Sequence, residues 1–304
     1  MAAFGAMNAE RRDSRVVVIR GGDIVTMAPG LGVVLGGSLV IEGDAIVAVG
    51  SSSDIARRHP DAEVVDAAGC IVTPGFVDAH QHLTGDPLIR SSIPDDVTSD
   101  DAVFRWAVPV HAAHGPDDDR ASAMLTSIEA VARGVTTVIE AGTVGHPDEV
   151  AAGMAAVGVR GAIGAWGWDF GDGPHAAPFD EVLDRQRAVV DRYPSGGLIE
   201  GWVTLVGHDL ASDDLWVGAA ELARRTGSRL SFHMSPTSDD AVSYLERTGS
   251  RPLVHLDRMG VLGPDVLIAH ALWVDDDELD VMLQRDVAVA SCPWAYLRLG
   301  QGIT

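Results

Sequence analysis

Hydrophobic positions fall into two regimes along the chain. Over residues 16–70 they come as short β-favouring runs, Val16–Ile19, Ile24–Met27, Ser38–Ile41 and Ala45–Val49. Glycine-containing pairs, Gly21-Gly22, Gly36-Gly37 and Gly43-Asp44, separate these runs as turns. The Gly30–Gly37 cluster opens no helix and matches no phosphate-binding loop, so it reads as a hairpin. From residue 70 onward, short apolar runs alternate with alanine-rich segments whose apolar residues recur at helical spacing, Ala121–Arg133 and Leu215–Arg225 being the clearest. Gly134 and Gly227 follow these two as stop signals. That alternation predicts a parallel α/β fold. Strands are expected at Cys70–Asp78, Val135–Ala141, Arg160–Gly167, Leu198–Val206, Arg229–His233, Asp265–Ala271 and Val287–Cys292. The domain boundary is placed between residues 69 and 70.

The stretch Pro74-Gly75-Phe76-Val77-Asp78-Ala79-His80-Gln81-His82 closes the first of these strands. Alternate side chains of a strand share a face, so His80 and His82 can converge on one point past its end. Two neutral imidazoles are a start on a zinc or ferrous site. A bare His-x-His is more often two polar residues at a strand exit, but its flanks decide otherwise here. Pro-Gly-Phe-Val-Asp-Ala-His-x-His resembles the first-strand signature of the amidohydrolase superfamily, metal-dependent hydrolases on a (β/α)8 TIM-type barrel. The resemblance runs from about Val16 to Thr304, with its nearest flavour among the cytosine, guanine and adenosine-type deaminases and the triazine chlorohydrolases. It implies that residues 1–69 are the N-terminal half of a small β-sandwich and that residues 70–304 are the barrel. A closed barrel of this class needs eight strands and only seven are recognisable. The expectation is therefore an incomplete barrel, truncated before strand 8 and the last sandwich strands.

Active sites of such barrels gather at the C-terminal ends of the strands. His233 ends the run Leu230-Ser231-Phe232, and His270 ends Val266-Leu267-Ile268-Ala269. Four histidines at three strand ends point jointly to a metal site, although a lone one would more often be structural. By the family pattern, His80, His82 and His233 resemble the metal ligands, and His270 resembles the residue that orients or deprotonates the activated water. The cofactor implied is one divalent ion, zinc or iron. All 22 basic residues counted as Lys+Arg are arginine. That excludes both a Schiff-base lysine and the carbamylated lysine of the family's binuclear members, which favours a mononuclear site. A divalent ion brings the pKa of bound water toward about 7, and a neighbouring imidazole can carry the proton. The implied reaction is attack of metal-bound hydroxide on an sp² carbon bearing nitrogen, in a small cyclic or amidine-like substrate and not a peptide.

Two departures from the family pattern stand out. The aspartate after strand 8 has no counterpart in the 304 residues. The glutamate expected three residues beyond the strand-5 histidine is replaced by proline, in His233-Met234-Ser235-Pro236. Proline cannot protonate a leaving nitrogen. Asp239, Asp240 or Asp169 could substitute, and nothing in the sequence selects one. His208 stands where strand 4 should end and is a candidate substrate contact, at even odds with a loop histidine. Trp168, with Trp166 and Phe170, closes strand 3 and could line the pocket or pack the barrel rim. His111, His114, His146, His175 and His255 fall off the rim and are expected to be solvated or locally hydrogen-bonded.

Composition adds mainly exclusions. A net charge of −22 repels phosphate backbones and argues against nucleic acid as a partner. Acidic runs such as Asp117–Asp119 and Asp275–Glu278 are read as helix starts. No run approaches the roughly 18 apolar residues of a membrane span, and residues 1–20 lack the apolar core and cleavage site of a secretory signal. A cytoplasmic protein is expected, with no membrane partner. Cys70 and Cys292 form neither a disulfide framework nor a Cys-x-x-Cys unit. Cys70 is expected to be a small buried residue of the first barrel strand. Cys292 lies near the rim but has no charged activator beside it in sequence to make it a nucleophile. The partner implied is a small-molecule substrate, with self-association into a homo-oligomer favoured by an open barrel edge. The rival reading is a non-catalytic barrel remnant that binds metal weakly or only associates with other subunits.

Overall fold

The computed structural model describes residues 15–85, 91–171 and 173–302. The chain divides into two compact units, Met1–Gly75 and Phe76–Thr304. In the first, β1 (Val16–Val25) and β2 (Val33–Glu42) form an antiparallel hairpin with Val16 opposite Glu42 and Val25 opposite Val33. The turn carries Gly30 and Gly32, while Gly36 and Gly37 lie inside β2, later than the expected hairpin tip. β3 (Ala45–Ser51) continues the sheet antiparallel to β2. β4 (Glu63–Asp66) and the two-residue β5 (Ile71–Val72) both run parallel to β1. Val18 and Val40 pack with Ile55, which lies on the helix Ser52–Arg58. The Ser51 hydroxyl caps that helix by accepting the Asp54 N–H.

The β5 pairing corrects the reading of the first barrel strand. Residues 71–72 belong to the first unit, and the Asp23 N–H donates to the Cys70 carbonyl. Cys70 is exposed, not buried in a barrel strand. The strand of the second unit starts at Phe76, after the rigid Pro74-Gly75 step, and runs as β6 (Phe76–Gln81).

The second unit holds parallel strands only. β7 (Val135–Glu140), β8 (Arg160–Ile163) and β9 (Ile199–Gly201) follow β6 in spatial order β6-β7-β8-β9. β10 (Val203–Gly207), β11 (Leu230–Met234), β12 (Val266–His270) and β13 (Ala288–Ala290) follow in the same manner. β9 and β10 are one strand interrupted at Trp202, whose N–H donates to the Ile163 carbonyl. Counted so, the unit has seven barrel strands, each paired with its sequence neighbour. Helices cross between them: Pro116–Ala132, Pro147–Val157, Phe179–Arg192, Asp213–Thr226, Asp239–Thr248 and Asp276–Arg285 among them. This is an α/β barrel of the (β/α)8 type lacking one strand among the described residues. β6 and β13 each have a single strand neighbour there, and their outer positions Phe76, Val77 and Val289 are exposed.

The third barrel strand stops at Ile163, short of the expected Gly167. Beyond it the chain turns so that Trp166 and Trp168 enter a buried cluster with Val108 and Val206. The Thr204 hydroxyl donates to the Ala165 carbonyl, and a Cβ at Gly164 would sit 1.9 Å from that same hydroxyl. Burial of both faces explains why these strands read as continuous apolar runs. The largest core cluster lies between β10, β11, β12 and the helices outside them, with Trp216, Phe232 and Tyr244 fully enclosed.

Candidate active site

The C-terminal ends of β6, β10, β11 and β12 bring five imidazoles together. His80 lies on β6, with His82 just past it, His233 on β11 and His270 at the end of β12. The His80 ring is 5.2 Å from His82, 4.7 Å from His233 and 5.5 Å from His270. His82 stacks on the other face of the group, 5.4 Å from His233. His80, His233 and His270 present nitrogens within 4.8 Å of one another. His208 follows β10 and stacks at 5.8 Å on His233.

The backbone is bent to make this arrangement. His208, Ser235, His270 and Ala271 adopt left-handed conformations, with φ of 53°, 54°, 81° and 47°. Left-handed non-glycine residues are uncommon and costly, and they gather at functional sites. Gly207 supplies the close approach that lets β10 run against β11, since a Cβ there would fall 2.0 Å from the His233 carbonyl oxygen. The His208 N–H donates to that same carbonyl.

Hydrogen bonds on the far side of each ring set which nitrogen is free. The Nδ1–H of His233 donates to the Val206 carbonyl at 2.7 Å, leaving Nε2 as a lone pair. His82 Nδ1 lies 3.0 Å from the Thr143 hydroxyl. His270 Nδ1 is buried with no protein partner. Burial, then the charges of neighbouring imidazoles, drive the pKa values of His80, His233 and His270 well below the ordinary histidine value. His82 is lowered to about 3 by burial and then by His111 and His270. These rings are neutral at physiological pH, and neutral imidazole is the metal-binding form. A buried, unpartnered nitrogen among lone pairs suits a divalent ion of the zinc or iron class.

Next to this neutral group stands an imidazole–carboxylate pair. His208 Nδ1 donates to the Asp240 carboxylate at 2.9 Å, and the Ser235 N–H donates to the same carboxylate at 2.5 Å. Burial pushes the His208 pKa down, but Asp240, by charge and by hydrogen bond, and Asp100 beyond it outweigh burial and raise it. Asp240 is held low: burial opposes this, and His208 and the Ser235 amide overcome it. The three aspartates left open by the sequence are thereby separated. Asp240 is buried beside the imidazoles, Asp239 is exposed next to it, and Asp169 spends both oxygens on the N–H and hydroxyl of Ser212.

The remaining candidates fall elsewhere. Trp168 is buried, its indole N–H donates to the Pro174 carbonyl, and its ring neighbour is Trp166. Trp166 in turn meets His111, which lies 6.2 Å from His82, so Trp168 packs two rings away from the nearest site imidazole. His255 is tied to Asp213 as expected of an off-rim residue. His114 and His146 both bond Asp119, which is buried and so not a simple solvated helix start. Burial, with the nearby Asp78 charge, pushes the Cys292 thiol up to about 11, which keeps it protonated and unreactive at neutral pH.

Two participants, Glu140 and Thr143, escaped the sequence reading. Glu140 ends β7 fully buried, and its carboxylate takes the Gly142 N–H at 2.6 Å and the Thr143 hydroxyl at 3.1 Å. Burial raises its pKa to about 7 against those donors. The available signal was position: Glu140 closes an apolar strand on the rim that carries the histidines.

Comparison with known proteins agrees with this picture. The profile of the Amidohydrolase family matches residues 71–304, and that of the bacterial imidazolonepropionase-like composite domain matches residues 39–62. A 5-methylthioadenosine/S-adenosylhomocysteine deaminase of Syntrophobacter fumaroxidans is 27% identical over 88% of this chain and 60% of its own length. A deaminase of the same description from Natronomonas pharaonis is 32% identical over 79% of this chain and 54% of its own length. Among solved structures, the zinc complex of atrazine chlorohydrolase from Arthrobacter aurescens TC1 superposes with a TM-score of 0.85 at 24% identity, covering 94% of this chain and 68% of its own. The zinc-bound adenosine deaminase of Xanthomonas campestris gives a TM-score of 0.81 at 25% identity, covering 94% of this chain and 64% of its own. The chain thus spans about 60% of the length of the first curated relatives it matches. Among the described residues, no helix is long and apolar enough to cross a membrane.

Proposed function

Because the chain belongs to the amidohydrolase family, we propose that its site is that of a mononuclear metal-dependent hydrolase of carbon–nitrogen bonds in small cyclic, amidine-like substrates. The observation that carries this reading is the convergence of His80, His233 and His270, with His82 beside them, as neutral rings at three strand ends. Held by His80, His82 and His233, a zinc or ferrous ion would supply Lewis-acid activation of water at neutral pH. His270 faces His80 and His233 and, unprotonated, is suited to accept the water proton. The water oxygen adds to the sp² carbon, the C–N bond breaks, and the departing nitrogen needs a proton.

Pro236 cannot give that proton, so the role passes to His208, whose protonated form Asp240 favours. Its Nδ1–H is committed to the carboxylate, which leaves Nε2–H as the donor to substrate. In net terms water and the amine-bearing carbon yield a carbonyl and ammonia, or a free amine. Relatives that deaminate adenosine-type compounds favour an amino-substituted heterocycle as the substrate class.

The test pairs two measurements on the purified protein: metal content, and release of ammonia from a panel of adenosine-type nucleosides and aminotriazines. Near-stoichiometric zinc or iron with ammonia release supports the proposal. Metal without turnover of any of them removes the catalytic claim and favours the remnant reading.

A further inference from the structure

We propose that Glu140 and Thr143 are positioning residues which fix the tautomer of His82, leaving its Nε2 as the lone pair. The inference rests on the metal-site reading above for its purpose, and on a count of protons for its substance. Thr143 Oγ1 lies 3.1 Å from Glu140 Oε1 and 3.0 Å from His82 Nδ1. A hydroxyl has one proton to give and lone pairs to receive, whereas an ionised carboxylate only receives. Glu140 already receives the Gly142 amide at 2.6 Å and the Thr143 amide at 3.3 Å, the pattern of a carboxylate cradled by donors. Above the value of about 7 to which burial raises it, Glu140 is ionised, so the Thr143 hydroxyl proton goes to Glu140, and toward His82 the same oxygen can only accept. Its partner must be Nδ1–H, which leaves Nε2 unprotonated.

The same logic extends one step along the wall. The Thr84 hydroxyl donates to the Thr143 carbonyl at 3.0 Å and so must accept from His111 Nδ1, also at 3.0 Å. Thr143 thereby orders two rings standing 6.2 Å apart, His82 through its side chain and His111 through its backbone. Glu140, Thr143, Thr84 and His111 are buried and His82 half-buried, and a buried hydroxyl network with every proton assigned resists rearrangement because breaking it strands polar groups. His233 reaches the same orientation by a simpler route, through the Val206 carbonyl. His82 and His233 thus both keep Nε2 as the lone pair, by independent means.

The experiment is a long-range ¹H–¹⁵N correlation spectrum of histidine-labelled, metal-free protein, which separates Nδ1–H from Nε2–H rings. It is run beside a chelator-competition titration with zinc. The expected result is Nδ1–H at both His82 and His233 in the unaltered chain. Thr143→Val should release His82 into a tautomer mixture and weaken zinc about 10- to 100-fold, as loss of an outer partner of a ligand does. Thr143→Ser should restore both. Glu140→Gln should release His82 as well, because an amide can donate to the hydroxyl and reverse the chain. The His233 signal, held by a backbone carbonyl, reports that each variant is folded. Nε2–H at His82 in the unaltered chain would overturn the proposal, as would a Thr143→Val protein with unchanged tautomer and affinity. Failure of the unaltered chain to take up zinc, with His82 still Nδ1–H, would upset the metal reading and uphold the tautomer assignment.

Discussion

The second unit contains two groups of histidines built on opposite wiring. In the first, His82 and His233 turn Nδ1 away from each other toward a hydroxyl and a carbonyl, and the rings meet across the strand ends. In the second, His114 and His146 both bring Nδ1 to one carboxylate, Asp119, at 3.1 and 2.8 Å, and the His146 backbone N–H joins them. A neutral acceptor leaves an imidazole neutral with a lone pair to offer; a shared carboxylate uses the imidazole as a strut. Asp119 ties the start of the helix Pro116–Ala132 to the loop before Pro147–Val157. Histidine count alone does not mark a metal site. Ring nitrogens that converge on one point, as those of His80, His233 and His270 do, mark it.

The sharpest way to break this contrast is to remove one ring from each group. His233→Ala should weaken zinc or iron binding by more than about 100-fold, beyond the loss typical of an outer partner, and abolish any hydrolysis. His146→Ala should leave metal content unchanged. Metal content by elemental analysis decides; equal losses in both variants would erase the distinction. Next in size is an acid effect on the metal-free chain. His80, His82, His233 and His270 are depressed in the folded state, so below the ordinary value near 6.5 the unfolded chain binds protons that the folded chain does not. Stability is therefore full above pH 6.5 and falls as pH drops, toward about 3 for His82. The slope is up to about 1.4 kcal/mol per pH unit for each such ring. Urea unfolding between pH 7.5 and 5 would show it, and a flat profile would mean that the rings are solvated.

Asp119→Ala tests the structural group directly. It strands three donors that now share one buried carboxylate, and should cost about 3 kcal/mol of folding stability. Metal bound per folded molecule should not change. An equal effect on metal would mean that the two groups are coupled.

These contrasts also mark how far the sequence could be read. Strand ends at His233 and His270 were legible because buried parallel strands leave apolar runs with a polar residue at the exit, and period-two spacing showed His80 and His82 on one face. The start of the first barrel strand was not, because Ile71-Val72 is equally apolar whether it pairs in the barrel or, as found, with β1. Asp240 could not be told from Asp239, since one residue decides which of them faces inward at the start of a helix. Glu140 and Thr143 were invisible for another reason: their role lies in hydrogen bonds, which carry no periodic signature. Trp168 was left open between lining the pocket and packing the rim, because β8 was expected to run to Gly167, whereas the chain turns inward after Ile163 and carries Trp168 into a buried cluster.

Asp240→Asn separates the imidazole–carboxylate pair from the neutral group beside it. His208 loses the carboxylate that raises its pKa, leaving burial to lower it. A step that needs protonated His208 declines as pH rises through that raised value. In the variant the decline should move to lower pH, with hydrolysis at pH 7 reduced about tenfold, ~1.4 kcal/mol. Metal affinity should hold, because Asp240 bonds no ring of the ligand group in this structure. An unshifted pH profile would take the proton-donor role from His208.

The smallest effect belongs to Trp168, and its value is as a control on distance. Trp168→Phe removes the indole N–H that donates to the Pro174 carbonyl at 3.0 Å. That carbonyl loses its donor but sits in a surface turn, so the cost should be about 1 kcal/mol for the hydrogen bond, with a modest addition for lost ring volume. If Trp168 only packs against Trp166, KM for any substrate found should stay put while the urea midpoint drops. If it lines the pocket, KM should move at constant stability. The ring order His82, His111, Trp166, Trp168 favours the first outcome, since a change at the fourth ring reaches the first only through two packed neighbours.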